Sequence, residues 1–319
     1  EIPLRLVGSE MCIRDRRKFM NISGSEGLVA AGNIFMGMTE SPVLIKNYLP
    51  TMNRSEIFLV MVSGMGTIAG SVMGTYIGML GGTDPAAKVL FATHLLSASV
   101  MAVPGSIVLA KMLCPQTEEA TDHVAISGKE KENSNILDAI SSGTVTGVKL
   151  MTNIAAMLLV FISLVALANY ITEGVIGRYT GLNDWIVKIT DGKAQGLTFQ
   201  FILGVITSPF MWLIGVPSQD IMLVGSLLGQ KTILNEFVAY FQLQQWKDAG
   251  LFMYEKSILM STYILCGFAN ISSIGILLGG LGVLAPEKRG LISRIGVPAM
   301  IGGALVSVLS ATIIGMILG

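Results

Sequence analysis

Gly32-Asn33-Ile34-Phe35-Met36-Gly37-Met38-Thr39-Glu40-Ser41-Pro42 is the stretch on which the fold turns. An apolar run from Gly27 to Met38 meets a polar tetrad, Thr39-Glu40-Ser41-Pro42, and resumes as Val43-Leu44-Ile45. Pro42 has no N–H, and its ring clashes with a helix continuing behind it. Two half-helices broken by a polar tip predict a re-entrant hairpin over 24–46. In a bilayer such a tip is tolerated only when it is buried in protein or lines a cavity.

Charge identifies the bilayer as the solvent. Only 13% of the 319 residues are charged, against 52% hydrophobic, and the mean hydropathy is +0.67. A soluble domain carries about 25% charged residues, so this chain cannot cover a water-facing surface. No charge occurs in Ile57–Thr83, Leu150–Thr172, Ala194–Gln219, Ser257–Pro286 or Ile295–Gly319. Apolar runs beyond about 18 residues read as membrane spans. The composition excludes a soluble enzyme, a nucleic-acid binder and a disordered tail, and a net charge of zero offers no steering toward polyanions. Cys12, Cys114 and Cys266 share no metal-ligand spacing, and with only His94 and His123 beside them no zinc or haem site is expected.

The other segments repeat the opening pattern. Residues 56–82 form a span with Gly66, Gly70, Gly74, Gly78 and Gly82 four apart, a ladder suited to close helix packing. Its middle, Thr67-Ile68-Ala69-Gly70-Ser71, is small and polar enough to unwind. Lys88–Lys111 is a plain span with a kink expected at Pro104-Gly105, and Cys114–Ser134 is the most polar loop. Residues 135–178 read as one long helix. A second broken hairpin follows: Leu197–Gly215, interrupted at Ser208-Pro209, a turn at Pro217-Ser218-Gln219-Asp220, then Ile221–Leu243 with Asn235-Glu236-Phe237 inside it. Ser257–Leu284 is interrupted around Gly267–Gly275, and Ile295–Leu318 is the last plain span. Twice, then, a broken hairpin holding a buried acid precedes an interrupted span and a plain one. Paired discontinuous helices of this kind point to a secondary transporter with its site at the bilayer midplane.

The fold class expected is therefore all-α: a polytopic membrane protein with two re-entrant helical hairpins and interrupted transmembrane helices in an inverted repeat. Its organisation is 17–113 for the first hairpin and two spans, 114–134 for the polar loop, 135–196 for the long scaffold helix and loop, and 197–319 for the second hairpin and two spans. Residues 1–16 stand apart. Leu4–Arg16 resembles the translated read-through of a sequencing-library adapter, and is read as a non-native lead-in with no signal-peptide core.

An acid inside the membrane costs about 2.5–3.5 kcal/mol on insertion scales and is functional by default. Glu40 and Glu236 meet that description, either as acceptors for a polar, uncharged solute or as satisfied structural acids. Thr39, Asn270, Ser272 and Ser273 add donors and acceptors. No Walker loop or basic cluster gathers phosphate. Unwound helix ends expose carbonyls, which hard cations prefer, and Asn33 and Thr67 are placed to complete a cation cage.

Four stretches carry a resemblance to a known family. They are Gly32 to Pro42, Thr67-Ile68-Ala69-Gly70-Ser71-Val72, Asn235-Glu236-Phe237-Val238-Ala239-Tyr240, and Cys266-Gly267-Phe268-Ala269-Asn270-Ile271-Ser272-Ser273-Ile274-Gly275. Together they resemble the concentrative nucleoside transporters, from about Phe19 to the C-terminus. The resemblance implies that Gly37, Met38, Thr39 and Glu40 face the nucleobase, with Val72 on the same side. It implies that Glu236, Asn270 and Ser273 hold the ribose, with Phe268 packing nearby. Sodium would be held by Asn33 and Thr67 with carbonyls near Met36 and Ile68. No cofactor is implied beyond the coupling cation, sodium or a proton. The implied assembly is a homotrimer moving substrate by an elevator motion in a plasma membrane, a bacterial inner membrane by its compact loops. The family also carries helices ahead of the first hairpin, so the chain is read as N-terminally truncated.

Many members have Gln where this chain has Met38. A thioether is apolar and only a weak acceptor, and members with Gly-Met here tend toward purine nucleosides, so Gly37-Met38 implies a purine preference. Two rivals are kept: a membrane-embedded enzyme using Glu40 and Glu236 as an acid/base pair, and a channel.

Overall fold

A computed structural model describes residues 22–118, 166–190 and 194–319, with Gly192 and isolated positions between 137 and 164. The lead-in, most of the polar loop and, of the long helix expected over 135–178, much of residues 135–165 lie outside the described residues. Among those described, the secondary structure is entirely helical.

Helix α1 (Gly24–Gly32) starts at a capping box. Ser23 accepts from the Glu26 N–H, while the Glu26 carboxylate accepts from the Ser23 N–H at 2.7 Å. The chain then turns from Asn33 to Glu40 and enters a 3₁₀ turn, Ser41–Ile45, with Pro42 in its opening positions. Helix α2 (Arg54–Gly66) starts at a second box, Asn53 with Glu56. After the extended residues Thr67 and Ala69 the same apolar stretch resumes as α3 (Gly70–Gly81). Helix α4 (Pro85–Leu113) is capped by Asp84 and carries Pro104 internally. A π-helical segment, Tyr170–Gly177, and a single turn lead to the short α5 (Leu182–Ile189).

The second half contains α6 (Phe199–Leu213), α7 (Ile221–Ile233), α8 (Glu236–Asp248), α9 (Glu255–Leu265), α10 (Ile271–Leu284) and α11 (Arg289–Ile317). Helices α9 and α10 are the halves of one interrupted span, as α2 and α3 are in the first half. Among the described residues, three stretches are long and apolar enough to cross a membrane: Arg54–Gly81, Pro85–Leu113 and Pro286–Ile317.

Two expectations are corrected. Ser208-Pro209 does not break its helix, because α6 runs through Pro209. The hydroxyls of Thr207 and Ser208 donate back to the carbonyls of Leu203 and Gly204, at 2.9 and 2.7 Å, in the turn before the proline. The breaks fall instead at the turn between α6 and α7 and at Leu234-Asn235 between α7 and α8. The glycine ladder also divides. Gly66 abuts Val306 and Gly70 abuts the Phe35 carbonyl, whereas a side chain on Gly74 or Gly78 would meet nothing within 4 Å. The unwound residues 67–69 shift the helical phase, so one stripe cannot stay on one face across the break.

Helix α11 crosses the centre, against α2, α4, α9 and α10. One apolar cluster gathers α1, α2, the C-terminal half of α4, α10 and α11; a second gathers α3, the N-terminal half of α4, α7, α8 and α9; Phe268 packs on both. Broken helices leave open carbonyls and N–H groups, each costing several kcal/mol in lipid if unmet. Distant side chains meet many of them. Lys247 donates to the Leu80 carbonyl at the end of α3, and Tyr240 to the Thr262 carbonyl of α9 at 2.7 Å. Asp220 accepts from the N–H groups of Met253 and Tyr254 ahead of α9, at 3.1 and 3.2 Å.

Candidate functional site

The two interrupted spans meet at their breaks. The Phe268 N–H donates to the Thr67 carbonyl at 3.2 Å. Beside it Gly267 has φ +152, and a Cβ there would sit 2.8 Å from Ser307 Oγ and 2.9 Å from the Met65 carbonyl. Only glycine allows this backbone and this approach. The first tip joins the same crossing, because the Phe35 carbonyl accepts from the Gly70 N–H at 2.9 Å and so satisfies the opening of α3.

Glu236 is the buried acid. It is 6% exposed and receives two donors from opposite halves of the chain. Asn270 Nδ2 donates to Oε2 at 3.0 Å, and the Tyr76 hydroxyl donates to Oε1 at 3.3 Å. Asn270 is the N-cap of α10. Its Oδ1 accepts from the Ser273 N–H at 2.9 Å, Ser273 Oγ at 3.0 Å and Ser272 Oγ at 2.6 Å. With three donors on the oxygen, the amide must present its nitrogen to Glu236. Asn235 caps α8 in the same way, accepting from the Val238 N–H at 2.9 Å, which fixes the turn that delivers Glu236.

Glu40 differs from expectation, for it is exposed among the described residues. Met38 and Ile45 on either side of it belong to the apolar cluster of α1 and α2, while the Glu40 carboxylate curls over Gly37, where a Cβ would collide with it. Met38 is buried against Gly64, and half-buried Thr39 lies beside Gly280 of α10. Val72 is half-buried in the first turn of α3 and packs on the second cluster.

The residues expected to hold a cation converge on Ser63. Asn33 is fully buried; its Nδ2 donates to Ser63 Oγ at 2.9 Å, and Thr67 Oγ1 donates to the Ser63 carbonyl at 3.0 Å. Asn33 Oδ1 has no hydrogen-bond partner among the described residues. A buried acceptor without a donor is uncommon, and an uncharged oxygen suits a hard cation. Ile68 is buried beside it in sequence, and Met36 is half-buried, its N–H donating to the Gly32 carbonyl at 2.9 Å. No group of His, Cys, Asp or Glu with metal-binding proximity occurs among the described residues.

Tyr76, Tyr240, Ser63 and Lys231 escape a reading of the sequence. Tyr76 carries a faint signal as the sole aromatic residue of α3. Its ring stacks on Tyr240 with centroids 4.1 Å apart.

Paired broken helices that cross at a buried acid and a neutral oxygen site define a membrane carrier. Residues 16–83 match the family model described as nucleoside recognition, and 94–315 match that of the Na+ dependent nucleoside transporter C-terminus. The chain belongs to the concentrative nucleoside transporter family. It is 39% identical over 306 residues to an uncharacterized transporter of Haemophilus influenzae, covering 95% of this chain and 68% of that one. It is 39% identical over 312 residues to sodium/nucleoside cotransporter 1 of Rattus norvegicus, covering 93% of this chain and 45% of that one. It therefore spans about two thirds of the bacterial relative and under half of the mammalian one. Among solved structures it resembles CNTnw in an inward-facing substrate-bound state, with TM-score 0.79, 34% identity, and coverage of 100% of this chain and 70% of that one. An outward-facing CNTnw variant gives TM-score 0.77 at 34% identity, covering 98% and 71%. The chain is a transporter, not an enzyme, and the acid/base reading of Glu40 and Glu236 is set aside.

Proposed function

We propose that this chain forms the binding core of a sodium-coupled nucleoside symporter with a purine preference. The observation that carries the proposal is the crossing of the two broken spans. It brings a buried, doubly hydrogen-bonded Glu236 and an unpartnered, buried Asn33 Oδ1 into one network of packed helices. Glu236, Asn270 and Ser273 hold the ribose, with Phe268 alongside. Thr39 and Glu40 meet the base edge, with Gly37, Met38 and Val72 as apolar surface. The buried thioether of Met38 offers a base dispersion contact but little polar pairing, which favours the larger purine ring. Asn33 and Thr67, with carbonyls of Met36 and Ile68, hold sodium.

Coupling requires cation and nucleoside to favour one conformation together. The first tip links them, since Asn33 and Glu40 lie on one short turn and Phe35 is bonded to Gly70. Likeness to both inward- and outward-facing CNTnw structures supports alternating access of the elevator type. Family membership supports a homotrimer in the plasma membrane, a bacterial inner membrane.

Uptake into proteoliposomes, with sodium replaced by choline at fixed pH, tests the coupling. Uptake that persists in choline and follows a pH gradient would assign the proton instead. Inosine, adenosine and guanosine are expected to outcompete uridine and thymidine; the reverse order would remove the purine preference.

A further inference from the structure

Lys231 lies in the last turn of α7 and is fully buried. Its Nζ donates to the Ile264 carbonyl at 2.8 Å and to Ser307 Oγ at 3.0 Å. Ser307 Oγ in turn lies 2.9 Å from the Cys266 carbonyl, to which it donates. Helix α9 ends at Leu265, so these carbonyls belong to its open C-terminal end. Such an end carries partial negative charge and attracts a cation. A buried ammonium without this kind of partner would be strongly unfavourable.

The first half has a matching arrangement. Asn33 stands at the end of α1 and donates to Ser63 Oγ in the last turn of α2, where Thr67 Oγ1 donates to the Ser63 carbonyl. Lys231 stands at the end of α7 and reaches the C-terminal end of α9. In each half the side chain comes from the hairpin arm just ahead of the tip acid, Glu40 in one and Glu236 in the other. In each half it meets the first segment of the interrupted span. The difference is chemical: the first half presents a neutral amide with a free oxygen, the second an ammonium on an aliphatic tether.

We propose that the Lys231 ammonium is a tethered cation filling the second half's counterpart of the Asn33–Thr67 cation site. Only one of the two related sites is then left for a diffusible cation. Lys231 acts as a positioning residue. It holds the end of α9, and through it the break that carries Phe268 and Asn270, in the geometry a bound cation would otherwise have to impose. The proposal rests on the sodium-coupled reading above, and two separate results test the two.

The experiment measures radioactive sodium and nucleoside fluxes together in proteoliposomes holding the protein. The wild type is expected to move one sodium per nucleoside. Lys231→Ser removes the tether and opens its space. It is expected to raise the flux ratio to two, and the Hill coefficient for sodium from about one toward two. Lys231→Met fills the space without charge and is expected to keep the ratio of one while raising the apparent KM for nucleoside about tenfold. Lys231→Arg keeps the charge and is expected to keep the wild-type ratio. A wild-type ratio of two overturns the proposal without any variant. Wild-type KM in Lys231→Met, or an unchanged ratio in active Lys231→Ser, overturns it too. Uptake indifferent to sodium would instead strike the sodium-coupled reading itself.

Discussion

The hydroxyl of Tyr76 donates to Glu236 Oε1 at 3.3 Å, joining a helix of the first half to the acid of the second across 160 residues of sequence. The ring lies on Tyr240, stacked at 4.1 Å, so removing the hydroxyl should leave the packing intact. A hydrogen bond to a charged group contributes about 1.5–3 kcal/mol, and this long one belongs at the lower end. Tyr76→Phe is therefore expected to raise the apparent KM for nucleoside about tenfold. The unfolding temperature is expected to fall slightly as well, because the bond is present without substrate. Initial-rate uptake checks it, and an unchanged KM would remove Tyr76 from the site.

Glu236→Gln keeps the shape of the side chain but removes its charge. Asn270 Nδ2 and Tyr76 are both donors, so the variant amide must turn its own NH2 toward one of them. Uptake is expected to fall by at least about tenfold, while the protein still inserts and can be purified. Wild-type transport by this variant would refute the role of Glu236.

Asn33→Ala removes the unpartnered oxygen, and Ser63→Ala removes the hydroxyl that anchors the Asn33 amide. Both are expected to raise the sodium concentration for half-maximal uptake. Asn33→Ala should act more strongly, by about tenfold, and Ser63→Ala by about threefold. Excess sodium should restore nucleoside affinity in Ser63→Ala. Equal loss at all sodium concentrations would separate Asn33 from the cation.

Gly267→Ala would place a Cβ at φ +152, within 3 Å of Ser307 Oγ and the Met65 carbonyl. Strain of this kind costs about 1–3 kcal/mol. The Thr67–Phe268 hydrogen bond would have to move with it. A lowered unfolding temperature in detergent is expected, together with reduced uptake. Unchanged stability and uptake would mean the crossing tolerates displacement.

Fold class was legible because its signals are local. The charge-free runs announce spans, and Thr39-Glu40-Ser41-Pro42 announces a break within its own eleven residues. Ser208-Pro209 misled because a proline can sit inside a helix that packing holds on both sides of it, as α7 holds α6. The glycine ladder misled because the unwinding read at its middle also shifts the helical phase, so the glycines beyond it face elsewhere.

The sequence by itself determined the membrane, the two broken regions and the residue types at their tips, since each follows from chemistry within a few positions. Only the tertiary structure decided which acid is enclosed. Glu40 and Glu236 look alike in sequence, yet the Glu40 side chain is exposed and Glu236 is buried under Tyr76 and Asn270. Only the tertiary structure brought Lys231 to Ser307, 76 positions away. Those outcomes depend on where helices cross, and a crossing is set by packing between segments whose order along the chain does not encode their contact.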